Sequence, residues 1–550
     1  MGEKTSRTTN FVALILFGLL SLASFVVATL WHEPWRDEAQ AFLIAIQHWA
    51  PWNLLAALRF EGHPPLLHWL YQLIFAATGS ATTTLALVAS AGYFLLCWGT
   101  YALLKNFSTA PFALLAAFLL ATTSNYFYEF GVISRGYGMG LGAAFLTAAL
   151  LFQQHQQPTA PMSWSWLLPA SGGILASIHT ASLTCWFLAV SLPFLFTGKR
   201  KSRHNWHCFW PVLTLIIPIS LTVLVGISHP DRAVTEAPVN AQNLWRALWQ
   251  TPPDFLAVFT PEALTRDYWE SRKWFWGAVW ADAMYPKNWW PTPNFLSQPY
   301  SPERRVPLLL FLLGLCFIGA TVKSANSRNR TLLGFAIAAM GHWLVLGGLL
   351  KMFYGPQFRH SLVLTLPALL FIGCSGLWWL SQSAHWSRKV IAGLSILVLC
   401  NWLWFQWLGL VANLTYEIRY PFSQTKAIAA TLTEGTAVIT EKDYFLSAMK
   451  VHRPSLTLHA IELAGEPYSY VKWDRARSAT QPLSVTAQQI CTTGRPVTLA
   501  LRGALPAEMQ KCSHHQPQKP IAVPSTTGEY FQVFDVDCSC LQGAAVGEKP

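Results

Sequence analysis

Charge is scarce in this chain: Asp, Glu, Lys and Arg make up 12% of its 550 residues, about half the fraction usual in a soluble domain. That excludes an ordinary water-soluble enzyme with a single anchor. Acids are the scarcer sign, with 26 Asp and Glu against 38 Lys and Arg and a net charge of +12. No nucleic-acid motif accompanies this excess. The cations sit in short loops between apolar runs, so the excess reads as the charge bias of membrane loops, with no nucleic acid as partner. The chain also lacks an internal repeat, a low-complexity stretch and any His, Cys, Asp and Glu spacing that marks a metal site.

Apolar residues take the place of charge. Hydrophobic residues make up 53% and aromatics 14% of the chain, and the mean hydropathy is +0.32. Runs of 18 or more apolar residues, long enough to cross a hydrocarbon core of about 30 Å, recur from end to end. The expected fold is a polytopic α-helical membrane protein of about eleven transmembrane helices plus interfacial helices, with a small C-terminal extracytoplasmic α/β domain. The expected spans are 11–30, 83–104, 110–128, 137–153, 164–178, 180–197, 207–228, 306–322, 331–350, 361–381 and 390–411. The opening run, NFVALILFGLLSLASFVVATLW (10–31), is longer than a signal-peptide core and reads as a retained first helix.

Placing Lys4 and Arg7, Lys105, and the loops 198–207, 323–330 and 385–389 in the cytoplasm is consistent with eleven crossings and a cytoplasmic N-terminus. Segment 64–79, PPLLHWLYQLIFAATG, must then lie at the interface without crossing. Residues 31–82, 124–136, 229–305 and 351–360, and the chain after 411, face outward. Two domains follow: a transmembrane domain over 1–411 and an extracytoplasmic α/β domain over 412–550. In the latter, RPVTLALRG (495–503) and EYFQVFDVD (529–537) alternate as strands do. Its four cysteines, Cys491, Cys512, Cys538 and Cys540, are disulfide candidates in an oxidising compartment, and four cysteines allow three pairings. Pairing of Cys538 with Cys540 is disfavoured, because alternate strand residues point the same way.

Three stretches bear chemistry. In WRDEAQAFLIAIQHW (35–49), Asp37 and Glu38 fall in the first turn of a helix begun by Pro34. Acids there complement the helix dipole. This pair, however, follows an apolar span directly, and ionisable groups at membrane depth are functional candidates. Helical neighbours diverge by about 100°, so one carboxylate can face a cleft while the other holds the helix start or binds a metal. In RFEGHPPLLHWLY (59–71), His63 sits in a Gly-His-Pro-Pro turn, where it can orient a carboxylate or bind a metal. In YFYEFGVISRGYGMG (126–140), Glu129, Arg135 and Tyr137 lie between two spans. Interfacial anchoring accounts for the tyrosines but accounts less well for an arginine on the outer side. Eight tryptophans in 229–305 suit a loop resting on the membrane interface, or rings that stack on a sugar.

Taken in this order, these stretches resemble the glycosyltransferase C superfamily, in the bacterial branch with protein O-mannosyltransferases and the aminoarabinose transferase. They are most similar there to the Rgt-type proteins. The motif-bearing resemblance covers about the first 200 residues, the alternation of spans extends it to about 411, and FYGPQFRHSLVLTLPAL (353–369) is similar to a late segment of the family. The resemblance implies a sugar donor on polyprenyl phosphate, and inverting transfer to a lipid, glycan or protein hydroxyl on the outer side of the bacterial cytoplasmic (inner) membrane. It makes Asp37 the essential acid with Glu38 its neighbour, His63 the turn histidine and Arg135 the second-loop arginine. Glu129 departs from the acidic pattern of many members.

The chemistry fits these side chains. A positioned carboxylate takes the acceptor proton, a contribution of about 10²–10⁴-fold, and Asp37 is the choice. Guanidinium forks match the oxygens of the leaving phosphate, which assigns Arg135 and Arg359, with Lys351 nearby. All this requires Asp37 and Arg135 to reach one pocket. A divalent metal, with Asp37, Glu38 and His63 as the available ligands, is another means of stabilising that charge. The alternative reading is a transporter or flippase of lipid-linked intermediates, which many spans and cationic loops also fit. A third is a catalytically silent scaffold whose outer domain binds partners.

Overall fold

A computed structural model describes residues 2–32, 34, 36–61, 63–156, 163–197, 214–224 and 327–343. Towards the C-terminus it describes 367, 370, 389–390, 393, 400, 403, 407, 410–411, 414, 429–430, 436–440, 450–453, 456–460, 487, 489–501, 510–515, 521–522 and 530–540. The helices are α1 (Gly2–Leu30), α2 (Arg36–Gln47), α3 (Pro51–Glu61), α4 (Leu66–Thr78), α5 (Ala81–Leu104), α6 (Ala110–Ala121), a π-helix (Ser124–Val132), α7 (Gly136–Gln156), α8 (Leu167–Ala176), α9 (Ile178–Thr197), α10 (Thr214–Leu224) and α11 (Ser327–Trp343). Among the described residues three helices are long and apolar enough to cross a membrane: Ser6–Leu30, Ala81–Leu104 and Gly136–Gln156. The chain is thus a multi-pass membrane protein by the length and composition of its helices. The expected span 306–322 and most of 361–381 and 390–411 lie outside the described residues.

The chain divides into two compact units, one of Met1–Val26, Gly62–Leu67 and Leu87–Thr415, the other of Val27–Glu61, His68–Ala86 and Tyr416–Pro550.

In the first unit α1 and α5 run antiparallel. Near one end the Tyr101 hydroxyl and the Lys105 ammonium both donate to Asn10 Oδ1, at 2.8 and 2.9 Å. Towards the other end Ser24 donates its hydroxyl to the Gly131 carbonyl, and the Tyr93 hydroxyl donates to Ala121 at 2.7 Å. Helix α5 meets α7 through glycine. A Cβ on Gly99 would strike the Gly142 carbonyl, and one on Gly142 the backbone of Leu95 and Leu96. Small residues let membrane helices approach in this way. On another side, α7 packs against α8 and α9, and α9 against α11. The rings of Phe152, Phe187 and Phe335 cluster there with centroids 5.7–6.3 Å apart.

Two expected spans take a different form. Segment 110–128 is not one straight helix, because the axis turns by 70° between Ala110–Ala121 and Tyr126–Val132. The cause is local. Thr122 and Thr123 donate their hydroxyls back to Leu119 and Leu120 at 3.0 and 2.6 Å, competing with the helical ladder. The chain re-enters as the π-helix with Thr123 as its cap, accepting from the Tyr126 N–H. Segment 164–178 shortens to the 10-residue α8, about half a crossing. It ends at Ser177, whose backbone is extended at φ −160° and ψ 146°.

In the second unit α2 is buried from Glu38 through Ala45. Its Phe42 ring packs edge-on against Tyr71 and Phe75, with centroids 6.0 and 5.3 Å apart. The Gln72 amide donates to the Ala45 and His48 carbonyls, both at 2.9 Å, tying down the C-terminal end of α2. Helix α4 has 13 residues, too few to cross. This unit also holds a mixed sheet of β1 (Ala437–Thr440), β2 (Thr457–Ala460), β3 (Val497–Leu501), β4 (Ser513–His515), β5 (Ile521–Ala522) and β6 (Tyr530–Val536) in the order β2-β1-β3-β6-β4, with β5 on β6. Strands β2, β1 and β3 are parallel, while β6 is antiparallel to β3 and β4. Ile439 lies beside Leu499, and Leu499 beside Phe534, on one buried face. Val438 is also fully buried, as befits a central parallel strand covered on both sides. Two disulfides, Cys491–Cys538 and Cys512–Cys540, close this end of the sheet.

Candidate functional site

The three chemistry-bearing stretches fall into two groups, one in each unit. In the second unit Asp37 occupies the second position of α2, at the level of its backbone. Glu38 follows it and is 1% exposed. Its Oε2 lies 3.0 Å from Nε2 of His32, itself nearly buried. The imidazole N–H donates to the carboxylate in this pair, and the pair is an ion pair when His32 is protonated. His32 follows the end of α1, where the N–H groups of Trp31 and His32 both reach the Val27 carbonyl, at 3.0 and 3.2 Å.

In the first unit, two stretches 72 residues apart meet. The guanidinium of Arg135 donates to His63 Nε2 at 3.5 Å. Arg135 is 8% exposed, with its Cζ 5.7 Å from the centre of the Tyr137 ring. Tyr137, the second residue of α7, is fully enclosed. The His63 ring meets it edge-on at 6.1 Å, and His179 meets it at 5.3 Å. His179 in turn places Nδ1 3.1 Å from the Ser177 hydroxyl. The cluster therefore draws on the Gly-His-Pro-Pro turn, the entry to α7 and the junction of α8 with α9.

Local geometry explains why the entry to α7 can seat there. The Arg135 N–H turns back to the Ile133 carbonyl at 3.0 Å. The next residue is Gly136, where a Cβ would collide with the Ala176 carbonyl at the end of α8. Only glycine allows α7 to start against that junction. Glu129 sits half-buried in the π-helix. Such helices are rare and recur at functional sites.

Chemically, the first-unit cluster sets a buried guanidinium beside a phenol ring and two imidazoles, a combination of groups that can receive an anion. Among the described residues no three His, Cys, Asp or Glu side chains group as metal ligands. Lys351 and Arg359 lie outside the described residues. His32 and His179 join these two groups and are not singled out by sequence reasoning. Each is a lone histidine at the edge of an apolar run, which reads as an interfacial or core residue. The one signal for His32 was its place just before the acid pair.

No family model matches this chain, and no curated protein does. Solved structures do match. The chain is similar to ArnT from Cupriavidus metallidurans in the apo state, at 12% identity over 97% of this chain and 99% of that one, with a TM-score of 0.49. It is also similar to ArnT from the same organism bound to undecaprenyl phosphate, at 13% identity over 97% and 98%, with a TM-score of 0.41. A third similarity is to the archaeal oligosaccharyltransferase AglB from Archaeoglobus fulgidus in complex with an inhibitory peptide and a dolichol-phosphate. There the identity is 13% over 81% of this chain and 64% of that one, with a TM-score of 0.37.

Proposed function

We propose that the chain is a membrane glycosyltransferase of the glycosyltransferase C type, which moves a sugar from a polyprenyl-phosphate donor to a hydroxyl of a lipid, glycan or protein with inversion. The observation behind this reading is the contact of His63 with Arg135. It joins two of the three motif stretches in one buried cluster suited to a phosphate. In low dielectric a guanidinium attracts a phosphate far more strongly than in water, and its planar fork matches two phosphate oxygens.

The reaction then runs as follows. Asp37 takes the proton from the acceptor hydroxyl. The acceptor oxygen bonds to the anomeric carbon from the face opposite the donor phosphate. The bond from that carbon to the phosphate oxygen breaks, and its electron pair leaves with the polyprenyl phosphate. Arg135, assisted by His63, stabilises the charge growing on that phosphate. Lys351 and Arg359 are further cations for it. Tyr137 lies against the arginine, and Glu129 is a further candidate from the same stretch.

Charge and cysteine chemistry support one side of the membrane for this reaction. Asn10 and Lys105 share one end of the α1–α5 pair, and with them Lys4 and Arg7 belong to the cytoplasmic end. The opposite end, with the π-helix, is extracytoplasmic. The disulfides of the C-terminal sheet suit an oxidising compartment, which agrees with an outer domain of a bacterial cytoplasmic-membrane protein.

The test is a reconstituted assay in liposomes with polyprenyl-phosphate-linked sugars. Asp37→Asn is expected to lower transfer by about 10²–10⁴-fold at unchanged protein level. Undiminished transfer, or movement of the lipid across the bilayer without any transfer, overturns the reading in favour of a transporter.

A further inference from the structure

The geometry points to His32 as a positioning residue for the transfer reaction: by binding Glu38 it fixes the rotation of α2, the helix whose second residue is Asp37. This inference rests on the function proposed above and deepens it. It gives Glu38 a holding role and adds a residue that no motif contains.

Three observations support it. First, the contact is short and enclosed, 3.0 Å between side chains that are 7% and 1% exposed. A carboxylate whose task is to complement a helix dipole is normally found at the surface. Second, His32 is a rigid anchor, because its backbone N–H and that of Trp31 both close onto Val27, so the imidazole is referenced to the last turn of α1. Third, the far end of α2 is fixed in the same manner, by the Gln72 amide on the Ala45 and His48 carbonyls, and the residues between are buried. A helix pinned at both ends by buried polar side chains has a defined azimuth. Misplacing a reacting group by about 1 Å can cost about a hundredfold in rate, so the azimuth of the helix bearing a catalytic carboxylate is a kinetic variable.

The experiment expresses full-length variants in a strain lacking the chromosomal copy and compares envelope glycoconjugates by mass spectrometry, with the amount of chain in the membrane measured alongside. Asp37→Asn identifies the product that depends on this chain. His32→Ala is expected to reduce that product about a hundredfold per chain. His32→Gln, whose amide N–H can take the place of Nε2–H, is expected to restore it to within about tenfold of the unsubstituted level. Full product from His32→Ala overturns the proposal. So does a His32→Gln chain as inactive as His32→Ala with the same melting temperature as the unsubstituted chain, because the imidazole would then serve the chemistry itself. If His32→Ala does not accumulate, His32→Gln decides: product upholds the proposal and its loss overturns it. If Asp37→Asn leaves every glycoconjugate intact, the transferase reading itself fails. If Asp37→Asn abolishes the product and His32→Ala does not, only the present proposal fails.

Discussion

At Arg135 the identity of the side chain matters as much as its charge. The guanidinium lies over the Tyr137 ring and reaches His63, contacts that use its flat faces and its directional N–H groups. An ammonium supplies charge without the fork. Arg135→Gln is therefore expected to lower turnover by about 10²–10³-fold, and Arg135→Lys to recover only part of that loss, in the same liposome assay. His63 touches the arginine at 3.5 Å, so under the proposed function His63→Ala is expected to weaken donor binding, read as a higher KM for the polyprenyl-phosphate sugar, more than it lowers kcat. Sequence reading at this scale singles out Asp37, His63 and Arg135 as candidates because they stand in unusual company, an acid pair after an apolar span and a His before two prolines. It does not single out His32 and His179, which meet the candidates Glu38 and Tyr137 only through contacts of the folded chain.

Helix length is the property most legible in the sequence. The expected spans 11–30, 83–104 and 137–153 fall within α1, α5 and α7, because apolar length is a physical requirement of crossing and is written in composition. The bend after α6 is invisible to hydropathy, since two threonines scarcely dent an apolar run, yet their hydroxyls turn the axis. The seam between α5 and α7 is equally silent in hydropathy and depends on the position of each glycine. Gly142→Ala is expected to force the two helices apart and to destabilise the fold by about 1–3 kcal/mol, seen as a lower melting temperature in detergent. Gly18→Ala in α1, where a Cβ meets nothing within 4 Å, is expected to leave melting unchanged or to raise it, since alanine is the better helix former.

For the molecule as a whole, the disulfides tie topology to chemistry. The Cys-Ser-Cys segment at 538–540 is clipped to two separate parts of the chain, closing loops with sequence separations of 47 and 28 residues. Loops of this size are worth about 3–4 kcal/mol each in the chain-entropy account. A maleimide is expected to label Cys491, Cys512, Cys538 and Cys540 only after reduction, read as mass shifts of the intact chain. Replacing both Cys512 and Cys540 by Ser is expected to render the C-terminal region more susceptible to limited proteolysis. Cysteine count alone allowed three pairings, and the choice among them came from strand order, which brings Cys491 beside Cys538 through β3 and β6.

Under the function proposed above, the contact of α5 with α7 also constrains the route of a polyprenyl donor. A long isoprenoid can thread between two helices only where bulky side chains hold them apart like pillars. Where Gly99 and Gly142 let main chain rest on main chain, no hydrocarbon fits. That seam is a wall, and in a transferase of the proposed kind the greasy tail is expected to approach Arg135 through a different face of the bundle.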